Sequence, residues 1–165
     1  MKILIIGGNG FLGSYLSKKL VSLGHKVTVL DKKNNNLKRL NIKFIKGDFF
    51  QLKILCKSIK DQDYVFHFAG VSDLETAISN PIKTIKLNIL GLAKVLEICS
   101  KYSVKRIIYS SSIYAISEEG SFYRFSKKAA EDYIIEFSKN FNLKYTILRY
   151  GSLYGPLSPE TNGVK

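Results

Sequence analysis

Ser112, Tyr123 and Lys127 are the residues whose types and order suggest proton transfer. The stretch Tyr123-Arg124-Phe125-Ser126-Lys127 reads as the start of a helix, where a spacing of four puts phenol and ammonium on one face. A free phenol, with a pKa of about 10, is a poor base at neutral pH. A neighbouring cation favours the phenolate, and a fall of about two or three pH units is within reach of such partners. Ser112, in a run of serines that ends a short apolar segment, would hydrogen-bond the oxygen of the reacting carbon. The chemistry implied is alcohol oxidation: the O–H proton goes to Tyr123 as hydride leaves the carbon. Tyr-x-x-x-Lys alone is undiagnostic in a chain with 10 tyrosines and 26 Lys and Arg residues. Its place after a serine-tipped strand, downstream of a nucleotide-binding turn, makes it informative.

Hydride needs an acceptor, and residues 2 to 31 supply its site. Ile3 to Ile6 is an apolar run of strand length, followed by Gly7, Gly8, Gly10 and Gly13. Phe11, Leu12, Tyr15, Leu16, Leu20 and Leu23 then recur at helical spacing up to Gly24, and Val27 to Leu30 forms a second apolar run that stops at Asp31. Strand, glycine turn, helix, strand and acid make one βαβ unit. The turn lets the backbone approach a pyrophosphate, the N–H groups of the first helical turn (Phe11 and Leu12) point at its charge, and Asp31 is placed to accept from a ribose diol. An oxidised nicotinamide there adds the second positive charge beside Tyr123.

Four more strands must position these groups: Ile42 to Ile45, Asp63 to Phe68, Arg106 to Tyr109 and Tyr145 to Leu148. Between them, helices are expected over 50 to 60, from Pro81 to about Tyr102, and over 123 to 140, the last burying Ala129, Ala130, Tyr133, Ile134 and Phe137. Lys32-Lys33-Asn34-Asn35-Asn36 reads as a polar loop. The alternation predicts a Rossmann-type doubly wound parallel sheet of six strands with helices on both faces, ligands binding beyond the strands' carboxyl ends. One domain is expected over 1–157, with 158–165 starting a further region.

Composition narrows the classes. At 165 residues the chain suffices for one domain with a core, and 45% apolar content with mean hydropathy near zero reads as globular. No run approaches the roughly 20 apolar residues of a membrane span. Cys56 and Cys99 stand singly in helix-like stretches, as small core residues of a reduced, cytoplasmic protein. The net charge of +13 raises nucleic-acid binding, but the lysines scatter without an aromatic-basic stripe, as on a solvated surface, so no nucleic-acid partner is expected. His67, inside an apolar strand, reads as a satisfied core histidine. No Cys, His and Asp cluster has metal spacing.

The chain resembles the extended short-chain dehydrogenase/reductases, in particular the NAD-dependent epimerase/dehydratase family acting on nucleotide sugars. The resemblance rests on GGNGFLG, Asp31, Gly47-Asp48, HFAG at 67 to 70, Asn88-Ile89-Leu90-Gly91, YSSS at 109 to 112, YRFSK at 123 to 127 and LRYGSLYGP at 148 to 156. It implies NAD as cofactor. Gly7, Gly10 and Gly13 would hold the pyrophosphate, with Phe11 and Leu12 beside it. Asp31 would hold the adenosine ribose, and Asp48 with Phe49 would lie by the adenine. Ala69, Gly70 and Tyr150 would lie along the cofactor, with Tyr123 and Lys127 touching it as well. Asn88 would support the long helix near the site. Ser112, Tyr123 and Lys127 would be catalytic, and Ser111 and Ser152 would meet substrate; which of Ser111 and Ser112 faces the hydroxyl stays open.

The chain departs from the family in a short stretch, Ile113 to Phe122, between serine strand and tyrosine, and in Ser152 where many members carry Asn. The 4,6-dehydratases place an Asp-Glu pair after the strand-end Thr; here Ile113 and Tyr114 follow Ser112, so no dehydration is expected. The resemblance implies a nucleotide-sugar epimerase, with a reductase of the same family and a dinucleotide-sensing module as alternatives. The partners implied are a nucleotide-diphosphate sugar and a second copy in a homodimer. Members of the family continue into a substrate domain, so NAD binding without sugar turnover is expected of these 165 residues alone.

Overall fold

A computed structural model describes residues 1–33 and 41–155. Of the loop expected over Lys32 to Asn36 the last three residues, and the whole region expected over 158–165, lie outside the described residues. Six strands form one parallel sheet: β1 (Lys2–Ile6), β2 (Lys26–Asp31), β3 (Ile42–Lys46), β4 (Tyr64–His67), β5 (Arg106–Ser112) and β6 (Tyr145–Tyr150), in the order β3-β2-β1-β4-β5-β6. Order reverses between β1 and β4, which opens a crevice above their carboxyl ends. The expected doubly wound Rossmann-type fold is the observed one.

The strands are apolar on both sides because helices cover both faces. Helix α1 (Phe11–Ser22) packs Leu16 and Leu20 on Ile3, Ile5, Val27 and Val29. The opposite face carries α2 (Leu52–Ile59), α5 (Gly91–Lys101) and α6 (Ser121–Phe141) around Leu4, Ile6, Val65 and Ile107. Two short helices, α3 (Leu74–Ser79) and α4 (Pro81–Thr84), lead into a π-helical segment, Ile85–Leu90.

Three details differ from the sequence reading. Strand β5 runs to Ser112 instead of ending at Tyr109, because Ser110, Ser111 and Ser112 pair in register with Leu148, Arg149 and Tyr150 of a likewise longer β6. Helix α3 was not expected; Asp73 caps it by accepting from the Thr76 N–H at 2.7 Å. The buried face of α6 is Tyr123, Ser126, Lys127, Ala130, Glu131 and Ile134, while Tyr133 is exposed. Helical period alone set that face, and polar residues occupy it.

Candidate active site

The glycine turn sits at the carboxyl end of β1, where there is room only for backbone. Gly7 has φ +82°, and a Cβ on it would lie 2.7 Å from the Ala69 nitrogen on the neighbouring β4 loop. A Cβ on Gly13 would meet the Gly7 oxygen at 2.5 Å and the Gly8 Cα at 2.7 Å, so α1 starts directly against the turn. A turn that packs its own backbone this closely and opens on a helix N-terminus fits the pyrophosphate of a dinucleotide. Asp31 ends β2 beside it, its carboxylate accepting from the Asn9 N–H at 3.0 Å and the Lys33 N–H at 3.2 Å. Next to it, Lys32 pairs with Asp48 at 2.9 Å. Burial pushes the Asp48 carboxyl up, but the Phe50 N–H and Lys32 outweigh it and hold the group below its ordinary value.

These groups open on a cleft of about 880 Å³ above the carboxyl ends of the strands. Gly7, Gly10, Phe11, Leu12, Gly13 and Asp31 line one end, Phe49, Ala69 and Gly70 the middle, and Ser111, Ser112, Tyr123, Tyr150 and Ser152 the other end. Asp48 and Lys127 stand behind this lining. The first turn of α3 adds Asp73 and Glu75 to the wall, which the sequence reading passed over; Asp73, three residues before Thr76, was the available capping signal. Asn88, in the π-helical segment, accepts from the Val71 N–H at 2.7 Å and donates to Val71 O and to Ser126 Oγ. Ser126 in turn donates to Tyr123 O at 2.8 Å, so the loop after β4 is tied to the helix that carries Tyr123.

Tyr123 and Lys127 are both buried, one turn apart on α6. The Lys127 ammonium donates to the Ser110 carbonyl at 2.7 Å and lies 5.6 Å from the Tyr123 ring centroid and 4.9 Å from that of Tyr109. Burial draws its pKa down to about 8, against the pull of Glu131. Burial raises the Tyr123 phenol above its ordinary value, Tyr114 adds to this and the Ser112 hydroxyl opposes; the fall expected of it needs the nicotinamide charge as well as the ammonium. The ammonium donates to the Ser110 carbonyl and lies over the face of the ring, and burial is the dominant influence on the phenol.

Ser112 lines the cleft, its oxygen accepting from the Tyr114 N–H at 3.3 Å. Ser111 is otherwise engaged, donating to Glu131 at 2.5 Å. His67 is buried as expected but not satisfied: neither ring nitrogen has a hydrogen-bond partner among the described residues, and burial, then Lys127, lowers its pKa to about 3. Among the described residues no cluster could hold a metal, and no helix is long and apolar enough to cross a membrane.

The sheet order, the glycine cradle and the buried Tyr-Lys pair at a serine-tipped strand define a Rossmann-type dinucleotide-binding protein. The chain belongs to the NAD-dependent epimerase/dehydratase family, whose model matches residues 3–165. It is 34% identical to a dTDP-D-glucose 4,6-dehydratase of Dictyostelium discoideum, across 94% of this chain and 44% of that protein. Among solved structures it is similar to the UDP-glucose 4-epimerase of Thermotoga maritima with UDP-glucose, at 32% identity and TM-score 0.85, covering 94% of this chain and 57% of that one. It is also similar to the UDP-N-acetylglucosamine 4-epimerase of Methanobrevibacter ruminantium, at 28% identity and TM-score 0.88, covering 97% and 57%. The chain spans about half the length of the curated relatives it matches.

Proposed function

We infer that this chain is the NAD-binding and proton-transfer part of a nucleotide-sugar epimerase. The observation that carries the reading is the burial of Tyr123 beside Lys127 at the end of the cleft that Ser112 lines, with the glycine cradle and Asp31 at the other end. Bound NAD would accept hydride from a sugar carbon and return it. Ser112 would hold the hydroxyl of that carbon, and Tyr123 would take its proton at the phenol oxygen. The Lys127 charge favours the phenolate that forms, and the same proton goes back from Tyr123 when the carbon is reduced from its other face. Gly7, Gly10 and Gly13 would seat the pyrophosphate, and Asp31 the adenosine ribose. The single thiols Cys56 and Cys99 fit a reducing, cytoplasmic setting.

Epimerisation is favoured over dehydration by the residues after Ser112. The 3-10 turn Ile113–Ile116 carries no carboxylate to deliver and remove the protons of water loss. The test uses the protein encoded by the whole reading frame that contains these residues, incubated with NAD and a panel of UDP- and dTDP-hexoses, with products followed by NMR. Interconversion of hydroxyl epimers without net NADH supports the reading. Stoichiometric NADH would assign a dehydrogenase or reductase, and a 4-keto-6-deoxy sugar would assign a dehydratase.

A further inference from the structure

Behind the cleft lies a polar cluster that the chemistry above does not use. Glu131 follows Lys127 by one helical turn on α6 and is 2% exposed. Its carboxylate accepts from Ser111 Oγ at 2.5 Å, from Arg149 Nε at 3.0 Å and from the Arg149 terminal nitrogen at 2.7 Å. Ser111 and Arg149 are register partners on β5 and β6, so one carboxylate ties the helix to the carboxyl ends of both strands. Lys127 makes the neighbouring tie, to Ser110 O. An apolar side chain would fill this position at lower desolvation cost, so a buried anion here calls for a reason beyond packing.

We propose that Glu131, locked by Ser111 and Arg149, is a positioning residue for Lys127. It fixes α6 against the end of β5 and supplies the counter-charge that keeps the buried amine a cation beside Tyr123. The inference rests on the reading of Tyr123 and Lys127 as the proton-transfer pair. The Lys127 ammonium lies against the rings of Tyr109 on β5 and Tyr123 on α6, and Glu131, paired with Arg149, follows it by one turn on α6; the charges of Lys127 and of His67 on β4 repel, and those of Lys127 and Glu131 attract. Burial holds His67 and both phenols neutral at pH 7, which leaves Glu131 as the anion of the set. Burial pushes the Glu131 carboxyl up, but Arg149 and Ser111 outweigh it and keep the group ionised. With this charge removed, the amine would lose its proton closer to neutrality, and a neutral amine does not favour a phenolate.

The test reads Lys127 directly in the 165-residue chain without NAD. Lysines are labelled with 13C at Cε, the Lys127 resonance is assigned by its loss in Lys127→Met, and its shift is followed against pH. Glu131→Gln keeps an acceptor for Ser111 but removes the charge, and is expected to lower the Lys127 midpoint by about one pH unit. The paired change Glu131→Gln with Arg149→Gln strands no guanidinium, so it serves if the single variant does not fold; a fall in the same direction is expected. A Lys127 midpoint equal to the parent's in the folded variant overturns the proposal. NAD affinity of the parent chain, measured calorimetrically alongside, separates this from the functional reading. Absent NAD binding sinks that reading and with it the role given to Lys127, whereas an unmoved Lys127 with intact NAD binding sinks the role of Glu131 alone.

Discussion

The Lys127 ammonium donates to the carbonyl oxygen of Ser110 at 2.7 Å, two residues before Ser112 on the same strand. The strand that delivers the serine to the cleft therefore also sets the position of the cation under Tyr123, and a shift of β5 would move both.

Burying that cation costs stability in a pH-dependent way. The folded chain holds Lys127 at about 8, against 10.5 for a free lysine, so between these values the unfolded chain binds more protons and stability rises with pH. Lys127→Met is expected to remove this rise. At pH 7 the variant gains on the order of 3 kcal/mol from the relieved charge, offset by about 1 to 3 kcal/mol for the stranded Ser110 carbonyl. Urea unfolding at pH 7, 8, 9 and 10 checks it; parallel pH slopes for parent and variant would contradict the assignment.

His67 acts at the acid end. Its pKa falls from 6.5 to about 3 on folding, so the unfolded chain takes up the proton first and stability drops as pH falls through that window. His67→Leu is expected to have a shallower loss of stability between pH 6.5 and 3.5, read by thermal unfolding. Equal acid sensitivity would mean that water reaches the ring.

At Gly13 the prediction is steric. A Cβ 2.5 Å from the Gly7 oxygen forces α1 off the turn, so Gly13→Ala should cost about 1 to 3 kcal/mol and abolish NAD binding. Calorimetric titration of NAD into a folded variant decides it, with undiminished affinity as the contrary result.

Asp31 is expected to select NAD over NADP by about tenfold or more, since its carboxylate repels a 2′-phosphate and Lys32 is paired with Asp48. Asp31→Ser should narrow the ratio. Equal affinities in the parent chain would remove Asp31 from that role.

Tyr123→Phe is expected to lower turnover by the protein containing this chain about 10²- to 10⁴-fold while NAD affinity holds, because only the proton acceptor is lost. A comparable fall in NAD affinity would show instead that the phenol holds the cofactor.

The helix faces show where sequence reading stops. Apolar periodicity located α6 and placed Ala130 and Ile134 rightly on its buried side, but it put Tyr133 there, which is exposed, and did not find the buried Glu131. Such polar residues are indistinguishable from solvated ones until their partners, Ser110, Ser111 and Arg149, are brought to them from other elements.

What the sequence by itself determined is the part written in local spacing. The βαβ unit, the glycine turn, Asp31 at a strand end and Tyr123 four residues before Lys127 each follow from contacts within a few turns of chain, where residue type and period suffice. Only the tertiary structure decided the rest: the extension of β5 to Ser112, the turning of Ser111 to Glu131, the direction of the Tyr123 shift and the unpaired nitrogens of His67. These depend on desolvation and on partners carried by other elements, Ser111 and Arg149 lying 20 and 18 residues from Glu131. Burial and long-range hydrogen bonding are properties of the packed sheet and its helices, and no local pattern encodes them.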